Sequence, residues 1–100
     1  MLDVHATMIA DWAEARNLVK GATMKDQLTK LFEEGGELAG AIARKNHEKI
    51  VDGIGDCFVV LTILALQAGT TITDCAAVAY DEIKDRRGKM VDGVFVKDAE

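Results

Sequence analysis

Five carboxylates, at two spacings, are the residues of this chain best placed to do chemistry. Glu33, Glu34 and Glu37 fall within Lys30-Leu-Phe-Glu-Glu-Gly-Gly-Glu-Leu38, and Asp52 and Asp56 within Val51-Asp-Gly-Ile-Gly-Asp56. Glu34 and Glu37 are three residues apart and Asp52 and Asp56 four apart, so on helices each pair converges on one point beside its own axis. An all-oxygen donor set selects a hard cation, Mg2+ or Mn2+, and the absence of a Glu-x-x-His spacing argues against a di-iron bundle. A Glu-Glu-x-x-Glu run alone is more often a solvated helix face than a site. Asp52 and Asp56 are harder to read that way, because they interrupt an apolar segment, and a carboxylate taken out of water calls for a counter-charge. Gly35, Gly36, Gly53 and Gly55 flank the acids. Each costs roughly 1 kcal/mol against alanine inside a helix, which points to close helix approach or to room for a ligand.

The elements that must carry these acids are helical. Apolar residues recur at Val4, Met8, Trp12, Ala15 and Val19, predicting a first helix over 3–19 capped by Asp3 and ended by Gly21. Thr23 followed by Asp26 is an Asp version of the capping box and opens a second helix to about Lys45. Its apolar face is Leu28, Leu31, Phe32, Leu38, Ala39 and Ile42, while Gln27, Lys30, Glu34, Glu37 and Ala41 share an adjoining stripe. Asn46 caps a third helix, 47–68, apolar on nearly every side and therefore expected to be buried all round, with Asp52 and Asp56 on one side of its N-terminal half. Gly69 ends it. Thr71 and Asp74 open a fourth helix along Ile72, Ala76, Ala79 and Ile83 to about Arg87, and Asp92-Gly93 between short apolar runs is a type I′ hairpin signal. Packed antiparallel across a short connection, the second and third helices bring the two acid pairs face to face.

One hundred residues form one domain, 1–100, whose folding alone buries only about two-thirds of the unfolded surface, so self-association would help it. The chain is 49% apolar and 29% charged and has no proline, which leaves long helices unbroken. A net charge of −5 and a pI near 5.0 lack the basic footprint of a protein that coats nucleic acid or an anionic membrane. Cys57 and Cys75 sit in apolar runs without zinc-ligand spacing and suit a reducing compartment. The longest apolar run, Cys57 to Leu66 broken only by Thr62, is half of the ~20 residues needed to span a bilayer. No signal-peptide pattern opens the chain, and the expectation is a cytoplasmic protein with neither nucleic acid nor membrane as partner.

The segment Lys30 to Leu38 resembles the Glu-Glu-x-x-Glu motif of the MazG-like, all-α nucleoside triphosphate pyrophosphohydrolases, and Val51-Asp-Gly-Ile-Gly-Asp-Cys-Phe-Val-Val60 resembles their second motif. The tail from Tyr80 to Val96 is similar to that of small phage and bacterial members. The resemblance implies an all-α fold, a four-helix bundle with a short C-terminal β-hairpin, assembled as a homodimer or homotetramer. It implies Mg2+, with Mn2+ as a substitute, and hydrolysis of (deoxy)nucleoside triphosphates to monophosphate and pyrophosphate, a housecleaning of the nucleotide pool. Carried over by position, Glu34, Glu37 and Asp56 would ligate the metal, with Glu33 an outer-sphere ligand or base. The family's second motif is usually Glu-x-x-Asp, and its Glu would fall on Gly53, so Asp52 stands as the substitute fourth ligand.

In that setting Lys30 lies one turn before Glu34, and Lys84, Arg87 and Lys89 could meet the distal phosphates, from the same or a neighbouring subunit, although lone basic residues are more often solvated surface charges. Trp12, the only tryptophan, fits either a stacking surface for a base or the core line of the first helix, Gln27 could read a base edge or orient a ligand, and Tyr80 is a further substrate-side candidate. The competing reading, motivated by Gly53, is a non-catalytic oligomeric helical module that binds nucleotide or a protein partner.

Overall fold

Side-chain caps and left-handed residues decide where the helices begin and end. In the computed structural model, which describes residues 1–99, the helices are α1 (Leu2–Ala15), α2 (Met24–Ala43), α3 (His47–Gln67) and α4 (Ile72–Ile83). Thr23 and Asp26 close a full capping box on α2: the Asp26 N–H donates to Thr23 Oγ1 at 3.1 Å and the Thr23 N–H to Asp26 Oδ2 at 2.9 Å. Those bonds hold the Asp26 carboxyl below its ordinary range. Asn46 and Thr71 cap α3 and α4 by accepting from the N–H of Lys49 and Asp74. The expected cap at Asp3 is not one: the N-cap of α1 is Met1, without a side-chain cap, and Asp3 lies in the first turn.

Three helices stop by one device. Asn17, Lys45 and Gly69 take positive φ, and the following N–H groups, of Leu18, Asn46 and Thr70, reach back to the carbonyls of Ala13, Ala41 and Ala65. This is the Schellman arrangement. It ends α1 at Ala15, four residues before the expected Val19, because Asn17 is among the few side chains that tolerate the left-handed region. Helix α4 likewise ends at Ile83 rather than near Arg87.

Helix α3 is the hub. Helix α2 lies antiparallel on it, joined by Arg44–Asn46, and among the described residues packs on no other element, while α1 and the start of α4 share α3's remaining surface. The core is thin and built of small residues: Ala6, Ala13, Ala41, Val60, Ile63 and Ala65. The four expected helices are present, but within one chain they do not close around a common centre. Nor is α3 buried all round: Val51 and Ile54 are each 57% exposed, and Phe32 on α2 is 74% exposed. By length and mean hydropathy, 1.8 in its most apolar stretch, α3 is long and apolar enough to cross a membrane. Its interior face instead meets α1 and α2. The hairpin pairs β1 (Gly88–Val91) with β2 (Val94–Lys97), Val91 opposite Val94, across Asp92 and Gly93, both at positive φ as a type I′ turn requires. Among the described residues neither strand packs on a helix.

Candidate metal centre and its cavity

Antiparallel packing sets the middle of α2 against the N-terminal half of α3, and two carboxylates meet there. The Glu34 side chain is the inward acid of its motif, 13% exposed, and Asp56 on α3 is half-buried. Both line one cavity, near enough for the Glu34 charge to act on Asp56. The Asp56 carboxyl is pushed above its ordinary value, first by burial, then by the negative charges of Asp52 and Glu34 and by the hydrogen bond with Glu34, while Lys30 pulls it the other way. The Lys30 ammonium is the counter-charge that one chain supplies: it lies 3.5 Å from Glu34 Oε1 and 3.6 Å from Glu33 Oε2, and these partners raise its own pKa.

The other acids stay outside. Glu33, Glu37 and Asp52 are exposed, so the expectation of a buried cluster reduces to one inward pair with a rim of solvated carboxylates. Among the described residues no three His, Cys, Asp or Glu side chains come together closely enough to hold a metal ion. Mg2+ does not demand an all-protein cage, since it keeps several waters and is commonly held by one or two carboxylates together with substrate phosphates. The charge repulsion at Asp56 and the all-oxygen donors fit such a cation.

Gly53 has a packing explanation. A Cβ there would stand 3.2 Å from Leu38 Cδ1, 3.3 Å from Leu38 Cβ and 3.4 Å from Leu38 Cα, so this is where α3 presses on α2. A glutamate at 53 would start inside the helix seam. Asp52, one position away, stands free of it. Gly35, Gly36 and Gly55 have no such cause, because a Cβ at any of them would meet nothing within 4 Å.

Beside the acid pair opens a cavity of about 310 Å³, lined by Trp12, Leu18, Gln27, Lys30, Glu34 and Asp56, with Val59, Val60 and Ile63 of α3 as its floor. Three of the substrate-side candidates, Trp12, Gln27 and Lys30, are thus brought to the acids. Gln27 is buried. Trp12 is partly exposed, with the Arg16 guanidinium 4.6 Å from its ring centroid and Arg16 Nη1 donating to the Trp12 carbonyl at 3.1 Å. Sequence reasoning missed Arg16, although its i, i+4 relation to Trp12 was a usable signal. It also missed Gln67, whose Nε2 donates to the carbonyls of Val19 (3.2 Å) and Ala22 (3.0 Å) and ties the α1–α2 connection to the end of α3.

The remaining candidates are elsewhere. Tyr80, Lys84, Arg87 and Lys89 are not among the residues lining this cavity and are exposed. Lys84 pairs with Asp81 at 3.1 Å, and Arg87 lies in the link to β1, its carbonyl accepting from the Asp98 N–H at 2.8 Å. Because α4 ends at Ile83 rather than near the expected Arg87, Arg87 and Lys89 lie beyond the helix.

Paired acids from two helices, a lysine bonded to one of them and an apolar-walled cavity with one tryptophan make up the candidate site of a small helical protein. Residues 22–91 match the MazG nucleotide pyrophosphohydrolase domain, and the chain belongs to that family. It is also 52% identical over 59 residues to an uncharacterized 18.2 kDa protein of the rep-hol intergenic region of Haemophilus phage HP1 (strain HP1c1). The match covers 59% of this chain and 36% of that relative. No solved structure matches the chain.

Proposed function

We propose that the protein hydrolyses nucleoside triphosphates, ribo or deoxy, between the α and β phosphates, giving monophosphate and pyrophosphate with Mg2+ as the cofactor. Membership of the family supports the reaction class, and the observation that carries the site is the meeting of Glu34 and Asp56 across α2 and α3 beside the Trp12 cavity. Glu34 and Asp56 would hold the metal, with Glu37 and Asp52 completing its shell once phosphates and water are bound. When present, Mg2+ supplies Lewis acidity toward the phosphate oxygens and the attacking water. The chain's own residues do the rest: Trp12 and Gln27 seat the base, the apolar floor of Val59, Val60 and Ile63 excludes bulk water, and Glu33 accepts a proton at its exposed carboxylate. Lys30 exchanges its carboxylate partners for phosphate oxygens, keeping the site near neutral as the triphosphate enters.

The chain works in this reading as one domain, as a homodimer or homotetramer in the reducing cytoplasm, consistent with the free Cys57 and Cys75, in housecleaning of the nucleotide pool. A module that binds nucleotide without turnover is the second reading, favoured by the lack of a preformed three-ligand group among the described residues. A panel of canonical and modified nucleoside triphosphates, with and without Mg2+, separates the two. Metal-dependent pyrophosphate release lost in Glu34→Gln and Asp56→Asn supports the enzyme, and nucleotide-dependent thermal stabilisation with no product supports the module.

A further inference from the structure

The cavity beside the acids has two ends, and α2 runs along both. Asp26, Lys30 and Glu34 are spaced four residues apart and all line it. By the helix rise, Asp26 lies about 12 Å along the axis from Glu34, with Lys30 midway. Helix α3 runs the other way: Asp56 stands at the Glu34 end, and Ile63, seven residues on, lies toward the Asp26 end. A nucleotide with its phosphates at Glu34 and Asp56 therefore lays its base toward Asp26 and Gln27.

The polar groups at that end are few and of fixed kind. Asp26 Oδ2 accepts the Thr23 N–H at 2.9 Å, which ties the carboxylate down without exhausting it, since its two oxygens offer about four acceptor positions. The bonds from Thr23 hold its pKa below the ordinary range, so at neutral pH the group accepts and never donates. Gln27 is 8% exposed, and its backbone N–H goes to the Thr23 carbonyl at 3.2 Å. None of the side-chain hydrogen bonds among the described residues involves its amide, although a buried amide nearly always has a partner. Gln27 lines the cavity, where that amide offers a donor beside the acceptor of Asp26.

We propose that Asp26 selects the base: with Gln27 beside it, it favours nucleotides whose base carries an exocyclic amino group next to an unprotonated ring nitrogen, the edge shared by cytosine and adenine. This rests on the triphosphate reading above and names its substrate class. The amino group donates to the Asp26 carboxylate, and the ring nitrogen accepts from the Gln27 amide. Uracil, thymine and hypoxanthine instead turn a carbonyl oxygen toward the carboxylate, so lone pairs face a negative charge. Gln27 can rotate to suit either edge, whereas an ionised carboxylate cannot become a donor, and the discrimination therefore rests on Asp26. A carboxylate accepting from the cytosine amino group is a known way of reading that base, and such a charge-assisted bond is about twice as strong as a neutral one. Capping α2 accounts for the bond to Thr23 but draws no distinction between bases, so the two roles separate in a ratio of rates.

Pyrophosphate release from dCTP against dUTP, and from dATP against dITP, compares bases of equal ring size that differ at this edge alone. The amino member is expected to lead by about ten-fold or more in kcat/KM. Equal turnover within either pair, or preference for the keto member, overturns the proposal. Asp26→Asn keeps the size of the side chain and an oxygen for the Thr23 N–H, but brings an amide donor to the base. The lead is expected to vanish or reverse toward dUTP and dITP, and a loss shared equally by both members overturns the assignment to Asp26. If the wild type releases no pyrophosphate from any nucleotide, the reaction reading fails and binding decides the selection. Quenching of Trp12 fluorescence by dCMP or dAMP is then expected at concentrations about ten-fold or more below those needed for dUMP or dIMP, and equal or absent quenching overturns it.

Discussion

Replacing Asp56 by asparagine should raise the stability of the metal-free protein while abolishing its chemistry. The ionised Asp56 carboxylate is disfavoured by burial and by its neighbours Asp52 and Glu34. A carboxyl whose folded pKa lies above its unfolded value binds more protons when folded, so stability falls as pH rises from the ordinary aspartate range through the raised value and is flat beyond it. The amide keeps the size of the side chain and removes that loss. Solvent screening at a half-buried site limits the gain to below about 1 kcal/mol, which for a domain of this size is at most about 4–8 °C in melting temperature. Thermal melts in chelator from acid to neutral pH should show a descending limb in the wild type that the variant lacks. In Mg2+ the order reverses, because protons compete with the metal at Asp56 and only the wild type gains stability from the cation. Pyrophosphate release should drop by about 100-fold or more, as when a charge-stabilising group is removed from an active site. A variant less stable than wild type without metal, or one that keeps full turnover, would refute the reasoning.

Lys30→Met removes two ion pairs held by an exposed ammonium, so the denaturant midpoint should shift only slightly. Because Lys30 lowers the pKa of Asp56, the pH dependence of Mg2+ binding, followed by Trp12 fluorescence, should move to higher pH. Thr23→Ala opens the capping box of α2 and should cost about 1 kcal/mol in urea unfolding. The Asp26 pKa is lowered in the fold, so the stability it adds is present above its unfolded value and is lost as pH falls through the lowered one. Thr23→Ala should flatten that acid limb. Gln67→Leu leaves the carbonyls of Val19 and Ala22 without their donor and should destabilise by about 1–3 kcal/mol, with a weaker nucleotide response at Trp12 as the α1–α2 connection loosens.

What the sequence disclosed was what is local. Thr23 with Asp26, Asn46, Thr71, Gly69 and Asp92-Gly93 signal caps and turns through bonds spanning a few residues, and the structure places all of them as read. Asn17 and Lys45 escaped because they end helices in a conformation usually taken by glycine. The apolar periodicity of α3 was visible, but a pattern of side chains does not say whether they are covered by the same chain, and Val51 and Ile54 are not. The acid motifs were legible as types and spacings. Which members turn inward depends on how tightly α3 meets α2 at Gly53 and Leu38, a contact between residues fifteen positions apart that no local signal reports. The grouping of Gln27 and Lys30 with Glu34 followed from the helical stripe, whereas Trp12, on α1, joins them only through the packing of α1 on α3. The separation of Tyr80, Lys84, Arg87 and Lys89 from them did not, since it depends on where α4 stops and where it points.

The most direct test of the account is phosphorus-31 spectroscopy of the wild-type protein with a nucleoside triphosphate and Mg2+, beside Asp56→Asn. The account predicts equal growth of monophosphate and pyrophosphate signals, absent without Mg2+ and absent in the variant. Growth of diphosphate with inorganic phosphate, or no product from a folded protein across the nucleotide panel, would contradict it.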